Sequence, residues 1–200
     1  MVNVASALSL EYGTRSESLR TLKYAILGLL NQRNMSGYEL TQQFESALCE
    51  FWNAKHSQIY SELKKLTDEQ MICYEIEISG NVLEKKVYSI TETGKADFMN
   101  WLRKDEPMGA TSKDVFRLRL FFSNKLDQEV RIELLNSQLM QHRLRLMHLK
   151  NNQTKFNKVP QKDSDEFSDY LVLLGAIMRE EMSCEWLKQC IELCQEGGNT

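Results

Sequence analysis

Between Trp52 and Met71 the chain runs WNAKHSQIYSELKKLTDEQM, and its polar residues gather on one side at helical spacing. Ser57, Ser61, Lys64 and Asp68 recur at every third or fourth position, with Gln58 and Tyr60 on the flanks. Hydroxyls, an amide, a phenol and an ammonium on one face suit phosphate oxygens and base edges. The other side carries Ile59, Leu63, Leu66 and Gln70, a stripe that a 3.6-residue period turns inward. Asn53 is the expected N-cap. An ordinary amphipathic surface helix has the same pattern, so the neighbouring elements must decide.

Composition narrows the field. The 200 residues are 42% hydrophobic and 26% charged, with nine glycines and only two prolines, a helix-leaning globular balance. A formal net charge of −3 argues against a general polyanion binder. Affinity for nucleic acid must therefore rest on local clusters. Lys55 and His56 open the helix, Lys64 and Lys65 follow in its third turn, and Lys85 and Lys86 come soon after. The five cysteines (49, 73, 184, 190 and 194) lack CxxC spacing and read as buried free thiols of a reducing compartment. The N-terminus makes a poor signal peptide, and no apolar run approaches the roughly 18 residues of a membrane span. A cytoplasmic protein is expected.

The elements that must position the polar face follow from local signals. Residues 1–18 form an arm without sustained periodicity. Leu19, Leu22, Ile26 and Leu29 open a first helix. Ser36 caps a second, with Glu39 completing a capping box and Leu40, Phe44 and Leu48 inward. Beyond Met71 the period falls to two: Ile72, Tyr74, Ile76 and Ile78 mark a half-buried strand. Ser79-Gly80-Asn81 is a hairpin turn, and 85–90 is the return strand. Thr91 caps a fourth helix with Phe98, Trp101 and Leu102 inward. Helix, helix, helix, hairpin, helix is the winged helix-turn-helix layout over residues 19–103, whose third helix enters the major groove. Trp52 and Trp101 read as packing residues.

A linker at 104–111 precedes a helical region, 112–200. Its first segment, from Ser112 to Lys125, is apolar nearly all round and should be buried. A long helix from Asp127 to about Asn152 carries Ile132, Leu135, Leu139, His142, Leu146 and Leu149 at heptad spacing, which suggests helix pairing. The last, Phe167 to about Gln195, includes Tyr170, Leu171, Leu174, Ile177 and Met178. The overall expectation is a mainly α protein: three helices, a β-hairpin wing and a linking helix, then a helical domain.

LKYAILGLL (22–30), SGYEL (36–40), IYSELKKL (59–66) and KKVYSITETGK (85–95), with the helical tail, resemble the PadR family of transcriptional regulators. The likeness runs from about Leu19 to Leu102, and the run at 51–60 is similar to that of phenolic-acid-responsive members. Two departures stand out: the arm is longer than typical, and Ser61 replaces a proline that many members carry after the tyrosine. The resemblance implies a homodimeric repressor of a palindromic operator, released by a small aromatic acid. Tyr38, Lys55, His56, Ser57, Gln58, Tyr60, Ser61, Lys64, Lys65, Lys85 and Lys86 would then meet DNA. For Tyr38 a core tyrosine with a wet hydroxyl is the competing reading.

Dimerisation is expected through Ile132, Leu135, Leu139, Leu171, Leu174 and Met178. Phe116, Arg117 and Tyr170 are candidates for the effector pocket, which the resemblance places between the two domains; Arg117 suits an ordinary ion pair as well. No cofactor is expected. His56, His142 and His148 lack metal-ligand spacing, and Cys190 with Cys194 read as helix packing ahead of metal or redox sensing. The chain shows no nucleophile elbow, phosphate-binding glycine loop or acid–base pair, so an enzyme is not expected. An adaptor that uses the winged fold for protein contacts alone is the alternative; it would more often expose apolar residues on the helix and wing.

Overall fold

The computed structural model describes residues 20–79, 83–109 and 113–196, and the chain divides into two compact units, Met1–Met108 and Gly109–Thr200. The expected arm and most of the Ser79-Gly80-Asn81 turn lie outside the described residues.

In the first unit, α1 (Thr21–Gln32), β1 (Met35–Ser36), α2 (Gly37–Ser46) and α3 (His56–Asp68) precede a hairpin of β2 (Ile72–Ser79) and β3 (Leu83–Ile90), closed by α4 (Glu92–Leu102). The strands form an antiparallel sheet in the order β1-β3-β2. β1 is too short to leave a periodic signal; it pairs Met35 with Tyr88 and Ser36 with Val87.

Local chemistry sets the element ends. Ser36 Oγ accepts the Glu39 N–H while the Glu39 carboxylate takes the Ser36 N–H, the reciprocal box that starts α2. Thr91 Oγ1 accepts the Gly94 N–H at the start of α4. The core gathers Ile26, Leu27, Leu30, Met35, Leu40, Phe44, Ile59, Leu63, Leu66 and Ile72, with Trp52 and Phe98 against it. Trp101 stacks on Tyr24, ring centroids 4.6 Å apart. Each of those buried aliphatic side chains contributes about 1.5–3 kcal/mol.

Several expectations are corrected. The third helix begins at His56 rather than near Trp52, and its first turn is capped from Gln58, whose Oε1 accepts the Lys55 N–H at 2.9 Å, not from Asn53. Gln70 leaves the inward stripe: it is exposed, with φ 57° just past the helix end. Leu102 is exposed as well. Among the described side chains of β2 only Ile72 is buried, while Ile76 and Ile78 are exposed, Ile78 at 76%. The cause is geometric. Among the described residues the sheet is three strands wide only near Met35 and Ser36, and farther along the hairpin Ile76 and Ile78 stay exposed.

The second unit consists of α5 (Val115–Phe121), a 3₁₀ turn (Ser123–Lys125), α6 (Gln128–Gln153) and α7 (Asp165–Glu196). α6 and α7 pack along their length around two small clusters. One is Leu135, Leu139, Cys184 and Leu187; the other is Leu149, Leu173 and Ile177. Between them His142 Nδ1 meets Glu180 Oε2 at 2.5 Å, and Arg145 Nε meets Glu180 Oε1 at 3.1 Å.

The segment expected to be buried on all sides is not. α5 is short and has no buried residue, and Val115, Leu118, Phe121 and Phe122 are exposed, Phe121 at 79%. Only Phe116 and Leu120 reach the adjoining cluster. An all-round apolar helix needs cover on every side, and the described residues of this unit supply it on one. The thiols also differ from expectation: Cys184 is buried and Cys190 and Cys194 half-buried, but Cys49 and Cys73 are exposed, Cys49 in a turn after α2. Burial pushes the Cys184 and Cys190 thiols up from their ordinary range.

Candidate nucleic-acid interface

Helix α3 sorts its side chains as a 3.6-residue period requires. Ile59, Leu63 and Leu66 are buried, while Ser57, Gln58, Tyr60, Ser61, Lys64 and Lys65 are exposed with Lys55 and His56 at its start. Glu62, on the inward side, is also buried. It is held by Arg20, whose guanidinium lies 2.5 Å from Glu62 Oε1 and 2.5 Å from Glu69 Oε1. Those bonds push the arginine up and hold Glu69 below the usual carboxylate range. The ion pairs fasten α3 to the start of α1, which leaves the opposite face free to meet a ligand.

α2 and the wing converge on the first turns of α3. Tyr38, Tyr60, Lys85, Lys86 and Tyr88 line one open groove of about 700 Å³, together with Gly37 and Glu39. Tyr38 is 68% exposed, which removes the core-tyrosine reading. The Tyr60 ring stacks on His56, centroids 4.4 Å apart. On the wing, the Lys86 ammonium sits 4.2 Å from the Tyr74 ring centroid. Tyr88 forms the groove's floor, and burial raises its phenol above the ordinary value.

The carboxylate of Glu39 ties the groove's wall together. Its Oε2 accepts from the Ser36 hydroxyl at 2.6 Å and the Ser36 N–H at 2.8 Å, and lies 3.2 Å from Lys85 Nζ. These partners, the Ser36 hydroxyl first, hold Glu39 at about 2 from an ordinary 4.5. Lys85 is thereby tethered beside the start of α2, and Arg33 reaches the same carboxylate at 3.6 Å.

The sequence-predicted residues fall into one exposed region, but not with equal freedom. Gln58 spends its side-chain oxygen on the α3 cap and has only its amide N–H groups to present. Ser57, Ser61, Lys64 and Lys65 are exposed and, among the described residues, make no side-chain hydrogen bond of that kind. Two contributors went unrecognised in the sequence. One is the Arg20–Glu62–Glu69 anchor. The other is Gly37, where a Cβ would stand 2.7 Å from the Tyr60 hydroxyl.

In the second unit the three effector candidates do not come together. Phe116 meets the Trp186 ring edge-on at 6.2 Å, and Arg117 lies 5.5 Å over the same ring with its Nε 3.3 Å from Asp114. Tyr170 packs instead against Phe156 at 5.5 Å. At about 1.5 Å per residue, Tyr170 and Trp186 are roughly 24 Å apart along α7. Phe116 and Arg117 thus share the Trp186 part of α7, and Tyr170 lies near its start. The expected dimer residues divide too. Leu135 and Leu139 are buried in the chain's own α6–α7 seam, and Ile132 and Leu174 are half-buried, whereas Leu171 and Met178 are exposed.

Among the described residues no group of three or more His, Cys, Asp or Glu could hold a metal ion, and no helix is long and apolar enough to cross a membrane.

A three-helix unit with a hairpin wing, bearing hydroxyls, tyrosines and lysines on one helix face and the wing, defines a winged helix-turn-helix regulator. Residues 26–100 match the transcriptional regulator PadR-like family, and residues 112–195 match the virulence activator alpha C-terminal family. The chain is 40% identical over 178 residues to the negative transcriptional regulator PadR of Bacillus subtilis (strain 168), covering 88% of this chain and 98% of that protein. It superposes on Bacillus subtilis PadR in complex with operator DNA with a TM-score of 0.83 at 40% identity, covering 88% and 99% of the two chains. For the same regulator in complex with p-coumaric acid the TM-score is 0.80 at 38% identity, with the same coverage. The protein belongs to the PadR-like family of transcriptional regulators.

Proposed function

We propose that the protein is a homodimeric transcriptional repressor that grips a palindromic operator through α3 and the wing and releases it on binding a small aromatic acid. The observation that carries this reading is the convergence of Tyr38, Tyr60, Lys85 and Lys86 on one groove beside the polar face of α3. Ser57, Gln58 and Ser61 face base edges, while the lysines and Tyr38 meet phosphates. Two copies of α3 related by a dyad read half-sites about one helical turn apart. Such a regulator works in the cytoplasm, beside its DNA.

The dimer draws support from the second unit. Leu171, Met178 and Met182 on α7, and Met140, Leu144 and Met147 on α6, lie exposed at helical spacing. The effector's class draws support from the relative crystallised with p-coumaric acid. One observation favours the adaptor reading: the wing exposes Ile76 and Ile78. The outer face of α3, in contrast, is polar, as a DNA reader requires.

A mobility-shift assay on the duplex flanking the protein's own reading frame tests the proposal. Specific binding should weaken steeply with salt, by about 0.9 log units per log of salt for each phosphate contact, and p-coumaric acid should reverse it. Lys64→Ala with Lys86→Ala should flatten that slope while the dimer persists. Equal affinity for random duplex at moderate salt would sink the proposal and leave the adaptor reading.

A further inference from the structure

We propose that Gly37 is a positioning residue for DNA binding: its missing side chain makes the seat in which the Tyr60 ring rests. The proposal builds on the DNA-binding reading above and adds a residue that itself touches no nucleic acid.

Tyr60 is 41% exposed, and its ring is bounded by two neighbours. His56, one turn earlier on the same helix, stacks against one face. Gly37, the first residue of α2, meets the phenol end. A Cβ on Gly37 would stand 2.7 Å from the hydroxyl oxygen, 2.8 Å from Cζ and 2.9 Å from Cε1, closer than side chains tolerate. One side of that contact must yield when a methyl group is added.

The backbone at Gly37 is the stiffer side. It follows directly on the Ser36–Val87 pairing of β1 with β3. The Ser36–Glu39 box brackets it, and the Thr41 hydroxyl donates to its carbonyl at 3.0 Å. Tyr60 has two soft torsions and open solvent beside it, so the ring moves. The φ of Gly37 lies outside the left-handed region, and alanine is the better helix former, so the fold accepts the change. Affinity and stability are thereby uncoupled: Gly37→Ala should cost DNA binding and leave the melting temperature equal or higher.

The test uses the full-length protein and an operator enriched by the wild type from a random duplex pool. Fluorescence anisotropy is measured for wild type, Gly37→Ala, Tyr60→Ala and the double variant. Each single variant should lose about tenfold in affinity, the scale of one hydrogen bond to a charged group. The double variant should lose no more than Tyr60→Ala alone, because Gly37 acts only through that ring. In the free protein, the NMR signals of the His56 ring should shift in Gly37→Ala as the Tyr60 ring current leaves. Losses that multiply in the double variant, unchanged His56 signals, or a melting temperature falling with affinity would each overturn the proposal. A wild type that enriches no operator removes the DNA reading and this proposal with it. An operator-preferring wild type with an equally tight Gly37→Ala variant removes this proposal alone.

Discussion

The two units bury their apolar residues in opposite ways. The first closes on itself: α1, α2, α3 and the base of the sheet share one core, and the large apolar side chains of α3's inward stripe are fully covered. The second is two long helices in contact along a single seam. It leaves Phe121, Phe122, Met140, Met147, Met178 and Met182 exposed. A helix pair buries one stripe of each helix, and apolar residues beyond that stripe mark surface available to further neighbours. The contrast teaches where specificity lives. The first unit gathers its large apolar side chains into one core, while the second leaves a broad apolar surface that the proposed dimer would cover.

The largest effect should come from breaking the closed unit at its tightest point. A Cβ on Gly94 would stand 2.1 Å from the Met71 carbonyl oxygen and 3.1 Å from Ile90 Cγ1. Neither can withdraw. Met71 O also accepts the Thr91 N–H at 3.1 Å, and the Thr91 hydroxyl lies 2.8 Å from Gln70 O. Gly94→Ala should cost about 4 kcal/mol or more, the range of severe overpacking. Thermal melts should show the winged unit unfolding early while sedimentation still finds the helical unit assembled. Joint loss of both would mean that the units do not fold independently.

Within the second unit, core and surface should part company. Leu135→Ala empties a fully buried site between α6 and α7 and should cost about 3 kcal/mol of stability. Leu171→Glu with Met178→Glu changes exposed residues, and within one chain should cost no more than about 0.5 kcal/mol each. Sedimentation velocity should nevertheless show the pair shifting the dimer toward monomer by tenfold or more. A double variant that stays dimeric would place the interface elsewhere, with the exposed face of α5 the next to test.

The same contrast explains what could be read in the chain. Features that depend on near neighbours were legible: the Ser36–Glu39 box, the Thr91 cap, and the alternation of Ile59, Leu63 and Leu66 with Ser57, Ser61 and Lys64. Features that depend on what lies opposite were not. Alternation in β2 marks two faces but cannot say that Ile76 and Ile78 stay exposed. The heptad run in α6 marks pairing but cannot say that Leu135 and Leu139 face α7 of the same chain. Arg20 with Glu62 and Gly37 with Tyr60 join residues far apart in sequence, and no local period announces them. A two-residue strand such as Met35–Ser36 is too short for any period at all.

The smallest effect concerns the link between α2 and the wing, and it is read by pH. Glu39 is held at about 2 in the folded protein, chiefly by the Ser36 hydroxyl and N–H, with Lys85 adding to it. A carboxylate whose folded value is depressed contributes stability above its unfolded value, ordinarily 4.5, and that contribution fades as pH falls toward about 2. The Glu39 side chain is 36% exposed, so solvent screening keeps the contribution small. Glu39→Gln should therefore be less stable than wild type at neutral pH, and urea melts should show the gap closing between 4.5 and 2. A gap constant with pH would assign the loss to packing and to the broken helix cap, not to charge. The variant also frees Lys85 from its 3.2 Å partner, which separates two roles for that lysine. If Lys85 serves DNA as a mobile phosphate contact, operator binding survives the substitution; if it must be held in place by Glu39, affinity falls along with the pH-dependent stability.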